Sequence, residues 1–152
     1  MTHFHSVPEK GDAIVMLTNS QNSWPFFAYM LRDWAKWCGY TNPGMTRILL
    51  GNHILRAIIV LLLVLTLWVF WVFLEDMVAK KRRFAPFSPV TPVRRTLQIL
   101  ISLLTAGLLI WAASQDYLFV SSVFPLTSKY LGMVLIFFSP VLMLNALFPR
   151  KT

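Results

Sequence analysis

Three long runs of apolar residues, near 57–74, 96–114 and 130–148, dominate the chain, and charged residues gather beside them. A helix rises 1.5 Å per residue, so runs of this length reach across about 30 Å of hydrocarbon. Three transmembrane helices are therefore predicted. The first is rich in Leu, Val and Ile and closes in Trp68, Phe70, Trp71 and Phe73, an aromatic cluster suited to the headgroup level. The second ends near Trp111. The third contains Pro140, which cannot donate to the Ile136 carbonyl and so predicts a kink.

Ahead of the spans the pattern changes. Phe27, Met30, Leu31, Trp34 and Cys38 recur at helical spacing, while Arg32, Asp33 and Lys36 fall on the other side. Ser23 as N-cap, Pro25 in the first turn and Gly39 as a stop predict an amphipathic helix over about 24–38. It is too short and too charged to span, and Trp24, Trp34 and Trp37 suit it to the membrane interface. Packing against a partner protein is the alternative. A re-entrant or fourth span over 24–40 is another, at the cost of burying Arg32, Asp33 and Lys36. Residues 1–22 read as irregular, with the short apolar run 13–17 strand-like at most.

The fold class is thus an all-α integral membrane protein, three transmembrane helices preceded by an N-terminal amphipathic interfacial helix. It divides into a segment 1–50, a three-span region 51–148 and a basic tail 149–152.

Composition agrees with the pattern. At 57% hydrophobic and 13% charged, the 152 residues are too apolar for an ordinary soluble surface. The net charge of +8 would suggest nucleic acid in a soluble domain, but here the bases sit at span edges without a reading motif. Anionic lipid headgroups are the expected partner, and nucleic acid is not. Lys80, Lys81, Arg82, Arg83, Arg94 and Arg95 make the loop 75–95 strongly basic, and Arg150 and Lys151 follow the third span. The positive-inside rule places both on one side, the cytoplasm or its equivalent, with the N-terminal segment opposite. Lys10, Arg32, Lys36 and Arg47 on that outer segment pull against the assignment. Between the two basic clusters of the loop, Pro86, Pro89 and Pro92 predict a stiff, extended path. The first residues lack the pattern of a secretory signal or a transit peptide, so the first span is expected to direct insertion.

Helices in lipid gain little from burying apolar surface against one another, so small and hydroxyl residues mark contact faces. Gln98, Ser102 and Ala106 fall along one side of the second span, and Gly132, Ser139 and Ala146 repeat every seventh position in the third. These two spans are expected to pack together. The first span, broken only by Thr66, reads as facing lipid.

Chemistry was sought along the same residues. No ionisable residue lies well inside a span, and Arg56, Glu75, Asp76 and Arg95 at span ends read as interface anchors. Adjacent helical residues point about 100° apart, so Glu75 and Asp76 do not make an acid–base pair. Asn145 reads as an interhelical hydrogen-bonder. His3 and His5 share one side of an extended strand, a weak metal signal without further ligands, and His53 has no second histidine for a haem. Lone Cys38 allows no internal disulfide. No catalytic residues, cofactor or metal are expected. The expected function is a non-catalytic accessory subunit of a larger membrane complex, with other membrane subunits as partners. A self-assembling channel and a lipid-handling protein are the alternatives.

Overall fold

A computed structural model describes residues 1–20, 22–41, 44–85, 92–115 and 118–150. The described residues are 70% helical, and three of their helices are long and apolar enough to cross a membrane. It is not all-α. Strands β1 (Thr2–Val7) and β2 (Asp12–Leu17) form an antiparallel hairpin where the sequence suggested irregular structure. Five helices follow: α1 (Trp24–Trp37), α2 (Thr46–Val78), α3 (Pro92–Ala113), α4 (Phe119–Val123) and α5 (Pro125–Leu147).

The inward positions on β1 are His3, His5 and Val7, so the hairpin's alternation is not one of apolar against polar. Amide groups of Lys10 and Gly11 both donate to the Val7 carbonyl at 3.1 Å, closing the turn, with Gly11 at φ +74.

The chain divides into two compact units, one formed by Met1–Ala57 and Tyr117–Lys129, the other by Ile58–Asp116 and Tyr130–Thr152. In the first, Met16 of β2 meets Phe27 and Leu31 of α1 in a small core, with Ile14, Trp34 and Met45 packed around it. The His3 ring stacks on Phe27 and the His5 ring meets Trp34 edge-on, each at 5.8 Å. These imidazoles pack the hairpin onto α1. The buried side of α1 is Phe27, Ala28, Leu31 and Ala35, rotated from the predicted stripe, and Met30 is exposed. At Ser23 the hydroxyl donates to the Ser20 carbonyl instead of accepting from the helix. Fourteen residues extend only about 21 Å, so α1 is not a fourth span. It ends as expected at Gly39, whose φ of +71 lets the amides of Gly39 and Tyr40 return to the carbonyls of Lys36 and Ala35. Farther along the same unit, the Thr127 hydroxyl donates to buried Asn52 Oδ1 at 2.7 Å. Phe124 packs where a side chain on Gly51 would stand, 3.3 Å from its Cβ position.

In the second unit α5 is the best-covered span: 28% of its most apolar stretch is buried, against 11% for α2 and 6% for α3. α5 runs unbroken through Pro140. Pro92 and Pro125 begin their helices, where a missing amide costs nothing. Most of the apolar surface of α2 is exposed, as a lipid-facing helix requires, but along one line Ile59, Thr66, Phe73 and Asp76 are buried, with Leu62, Val69 and Val72 half-buried between them. Steps of three and four residues along this line describe a helix-packing seam. Thr66 bonds the Leu62 carbonyl at 2.6 Å, so its hydroxyl is satisfied within its own helix. The polyproline path expected for the loop falls largely on residues 86–91, outside the described residues.

Tyr40 ties the end of α1 to the hairpin by donating its hydroxyl to Asp12 Oδ2, with Trp34 beside it and Lys10 Nζ 4.9 Å from its ring centre. The hydrogen bond to the carboxylate, helped by desolvation, raises the phenol from 10.0 to about 12. Because the folded value is raised, the stabilisation from this contact is fully present below pH 10 and lost as pH climbs through 12. Ultraviolet titration of the wild type against Tyr40→Phe should isolate one phenolate forming near pH 12, and Asp12→Asn should return it toward 10. A single tyrosine class titrating near 10 in all three proteins would contradict the contact.

Candidate functional site

The densest polar chemistry lies in the second unit, where α2 and α5 end side by side. Phe73 and Phe148 meet edge-on at 6.1 Å, and just beyond them Asp76 points inward while neighbouring Glu75 stays exposed. The 100° step between adjacent helical residues separates their fates. Arg82 Nε donates to Asp76 Oδ2 at 2.9 Å, with Nη2 at the same distance from that oxygen in the ion pair, and Arg150 Nε donates to the same oxygen at 2.6 Å. Only 8% of the Arg82 side chain and 6% of the Asp76 side chain remain exposed. Arg82 is satisfied on its other edge, where Nη1 donates to Asn145 Oδ1 at 2.9 Å and to the Phe148 carbonyl at 3.1 Å. Its guanidinium also lies 5.1 Å from the Phe73 ring centre. Asn145 is held in turn by donating to the Val141 carbonyl at 2.9 Å.

Backbone pairing reinforces these contacts. Residues 82 and 150 form an antiparallel bridge, and the amides of Arg83 and Ala85 donate to the carbonyls of Pro149 and Leu147 at 3.4 and 3.1 Å. The start of the basic loop and the C-terminal segment, which the charge rule assigns to one side, therefore meet at one end of the unit. Its hydrogen bond to Asp76 also raises the Arg150 guanidinium above its ordinary pKa.

α2 closes with the same two-bond cap as α1, but with a different residue in the strained position. The Lys80 amide donates to the Met77 carbonyl and the Lys81 amide to that of Asp76, both at 3.0 Å, while Lys80 takes φ +54. Gly39 fills that position in α1 without a Cβ penalty. For lysine the left-handed conformation costs about 1–2 kcal/mol. Among the described non-glycine residues, Lys80 alone has positive φ.

A second polar contact joins α3 to α5. Ser102 Oγ donates to the Ser139 carbonyl at 2.8 Å, Ser139 Oγ donates to the Ser102 carbonyl at 3.0 Å, and the two hydroxyls are 3.2 Å apart. Both serines are buried. Of the other residues on those stripes, Ala146 is buried, Gln98 and Ala106 are half-buried, and Gly132 faces open space with nothing within 4 Å of a Cβ position. The contact therefore rests on the hydroxyl pair, with Gly132 making no close approach. Trp37, Trp68, Trp71 and Trp111 are exposed, and Trp34 is half-buried. Lys80, Lys81, Arg83 and Arg94 are exposed, whereas Arg82 and Arg95 are withdrawn from the surface.

Composition and flanking charge did not single out Asp76, Arg82 and Arg150 as a cluster. The available signal was positional: Thr66 and Asp76 are ten apart, a heptad plus three, and so share a seam on an otherwise apolar helix. Among the described residues no group of three His, Cys, Asp or Glu side chains could hold a metal ion.

Removing one member of a buried ion pair strands its partner, at a cost of about 3–5 kcal/mol. Asp76→Asn and Arg82→Met should each lower the melting temperature in detergent sharply. The double variant, which leaves no unpaired charge of the original pair, should recover part of that loss. Additive losses in the double variant would show that the two residues do not act through each other.

No protein-family model, curated protein or solved structure matches the chain, so its function is argued from the residues themselves.

Proposed function

We propose that this chain is a non-catalytic accessory subunit of a larger multisubunit membrane complex, contributing helix packing and assembly. The observation that carries the reading is the outer face of the hairpin. Phe4 is 61% exposed and pairs across the strands with Val15, itself exposed, and Leu17 beside them is 75% exposed. The opposite face, with His3, His5, Ile14 and Met16, already packs on α1, so Phe4, Val15 and Leu17 make an apolar patch that the hairpin's own core does not use. Such a patch is costly in water and is characteristic of a surface covered by another protein. Among the described residues both hairpin edges also lack a neighbouring strand, the sheet being β1 and β2.

The span surfaces add to this. Leu100, Leu104, Leu108 and Trp111 on α3 are uncovered, as lipid or a neighbouring subunit's helix would require. Asp76, Arg82, Asn145, Ser102 and Ser139 bond one another or nearby backbone and hold the chain's own helices together. Settings in keeping with the reading are a respiratory-chain complex of the mitochondrial inner membrane and a secretion or conjugation assembly of a bacterial cytoplasmic membrane.

Affinity purification of the tagged chain in a mild detergent should recover larger membrane polypeptides at fixed stoichiometry. Phe4→Ser with Leu17→Ser should lose them while leaving the chain itself folded. Recovery of the wild type as a lone protomer after gentle extraction would refute the proposal.

A further inference from the structure

Beside the Asp76 cluster lies an open cleft of about 400 Å³ lined by Asp76, Lys80, Lys81 and Arg150. Next along α2 is an apolar groove of about 390 Å³ lined by Trp71, Leu74, Glu75, Val78 and Ala79. We propose that the two form one site for an anionic phospholipid, its phosphate held by Lys80, Lys81 and Arg150 and an acyl chain lying along the groove.

The charge balance favours an anion. Asp76 is shared by Arg82 and Arg150, and with Lys80, Lys81 and Glu75 counted the cleft and groove carry four positive charges against two negative ones. Among the described residues neither lysine has an ion-pair partner, and both are exposed. Arg150 is anchored through Nε to Asp76, while 61% of its side chain remains exposed. A guanidinium so held offers fixed donors at the cleft, and an anchored arginine loses less freedom on binding a phosphate than a free one.

Backbone strain at Lys80 is a second, independent observation. The cap that closes α1 uses glycine at this position, and glycine would serve the α2 cap with less strain. A lysine there forgoes fold stability and places an ammonium group at the cleft. Strain of this kind collects at functional sites. The groove decides the source of the phosphate, since a free phosphate would use only the cationic end. The groove follows α2 from Trp71 to Val78, about 10 Å of helix, so a phosphate held at Lys80 and Lys81 leaves its acyl chain to run back toward Trp71. The site does not depend on the chain having partner subunits.

The full chain, purified in dodecylmaltoside and stripped of lipid, would be titrated with dioleoyl phosphatidylglycerol, dioleoyl phosphatidylcholine and inorganic phosphate while its melting temperature is followed. Phosphatidylglycerol should stabilise at concentrations at least tenfold below the other two. Lys80→Gly should melt at or above the wild type without lipid and yet bind phosphatidylglycerol about fivefold more weakly, as expected for one basic residue near an anionic headgroup. Lys81→Gln should weaken it by a similar factor. Equal response to the two lipids, equal response to inorganic phosphate, or undiminished affinity in both variants would overturn the proposal. A Lys80→Gly protein that melts below the wild type without lipid would overturn the strain argument on which it rests.

Discussion

Lipid tails are as apolar as leucine, so the spans gain little by burying aliphatic surface against one another. What holds them must be directional, and in the second unit the strongest such interaction converges on one oxygen, Asp76 Oδ2, which accepts hydrogen bonds from Arg82 and Arg150. A buried carboxylate is tolerable only when paired, and a buried arginine only when its other donors are satisfied. Asn145 and the Phe148 carbonyl meet the second requirement. The outcome is that the residues after α2 and the residues after α5 are fastened together, with backbone pairing between 82–85 and 147–150 following from that closure. The Ser102–Ser139 pair extends the same logic to α3 with neutral groups.

How much of this could be read beforehand depended on whether a residue's partner lay on the same element. Apolar length locates helices regardless of tertiary context, which is why the three long helices were legible while their ends, set by caps and prolines, moved outward to Thr46, Pro92 and Pro125. Ser102 and Ser139 could be singled out because a hydroxyl on an apolar helix has few uses. Their reciprocal bonding could not, since it depends on register between helices. The hairpin was obscured by His3 and His5, whose rings serve as inward packing surface although histidine counts as polar in any alternation. From the sequence Asp76 reads as a membrane-edge anchor, because depth along a helix says nothing about which way a side chain faces. Its place on the seam with Thr66 and Phe73 was the missing clue.

Gly39 and Lys80 occupy equivalent places in two caps of the same design. α1 ends with the residue that suits its backbone. α2 ends with a lysine at the edge of a cationic cleft. The division of labour is consistent throughout: buried polar groups fasten the chain to itself, while the exposed apolar hairpin face and the basic cleft are left to face outward.

The central claim is that Asp76 fastens the basic loop to the C-terminal segment. Ala85 and Leu147 lie opposite each other in the paired segments, with an amide-to-carbonyl distance of 3.1 Å, close enough for a disulfide between paired strands. In a Cys38→Ser background, Ala85→Cys with Leu147→Cys should cross-link rapidly on mild oxidation in native membranes, and adding Asp76→Ala should slow the reaction by roughly the tenfold or more expected from losing a buried ion pair. Cross-linking that proceeds equally well without Asp76, or that never forms with it, would contradict the claim.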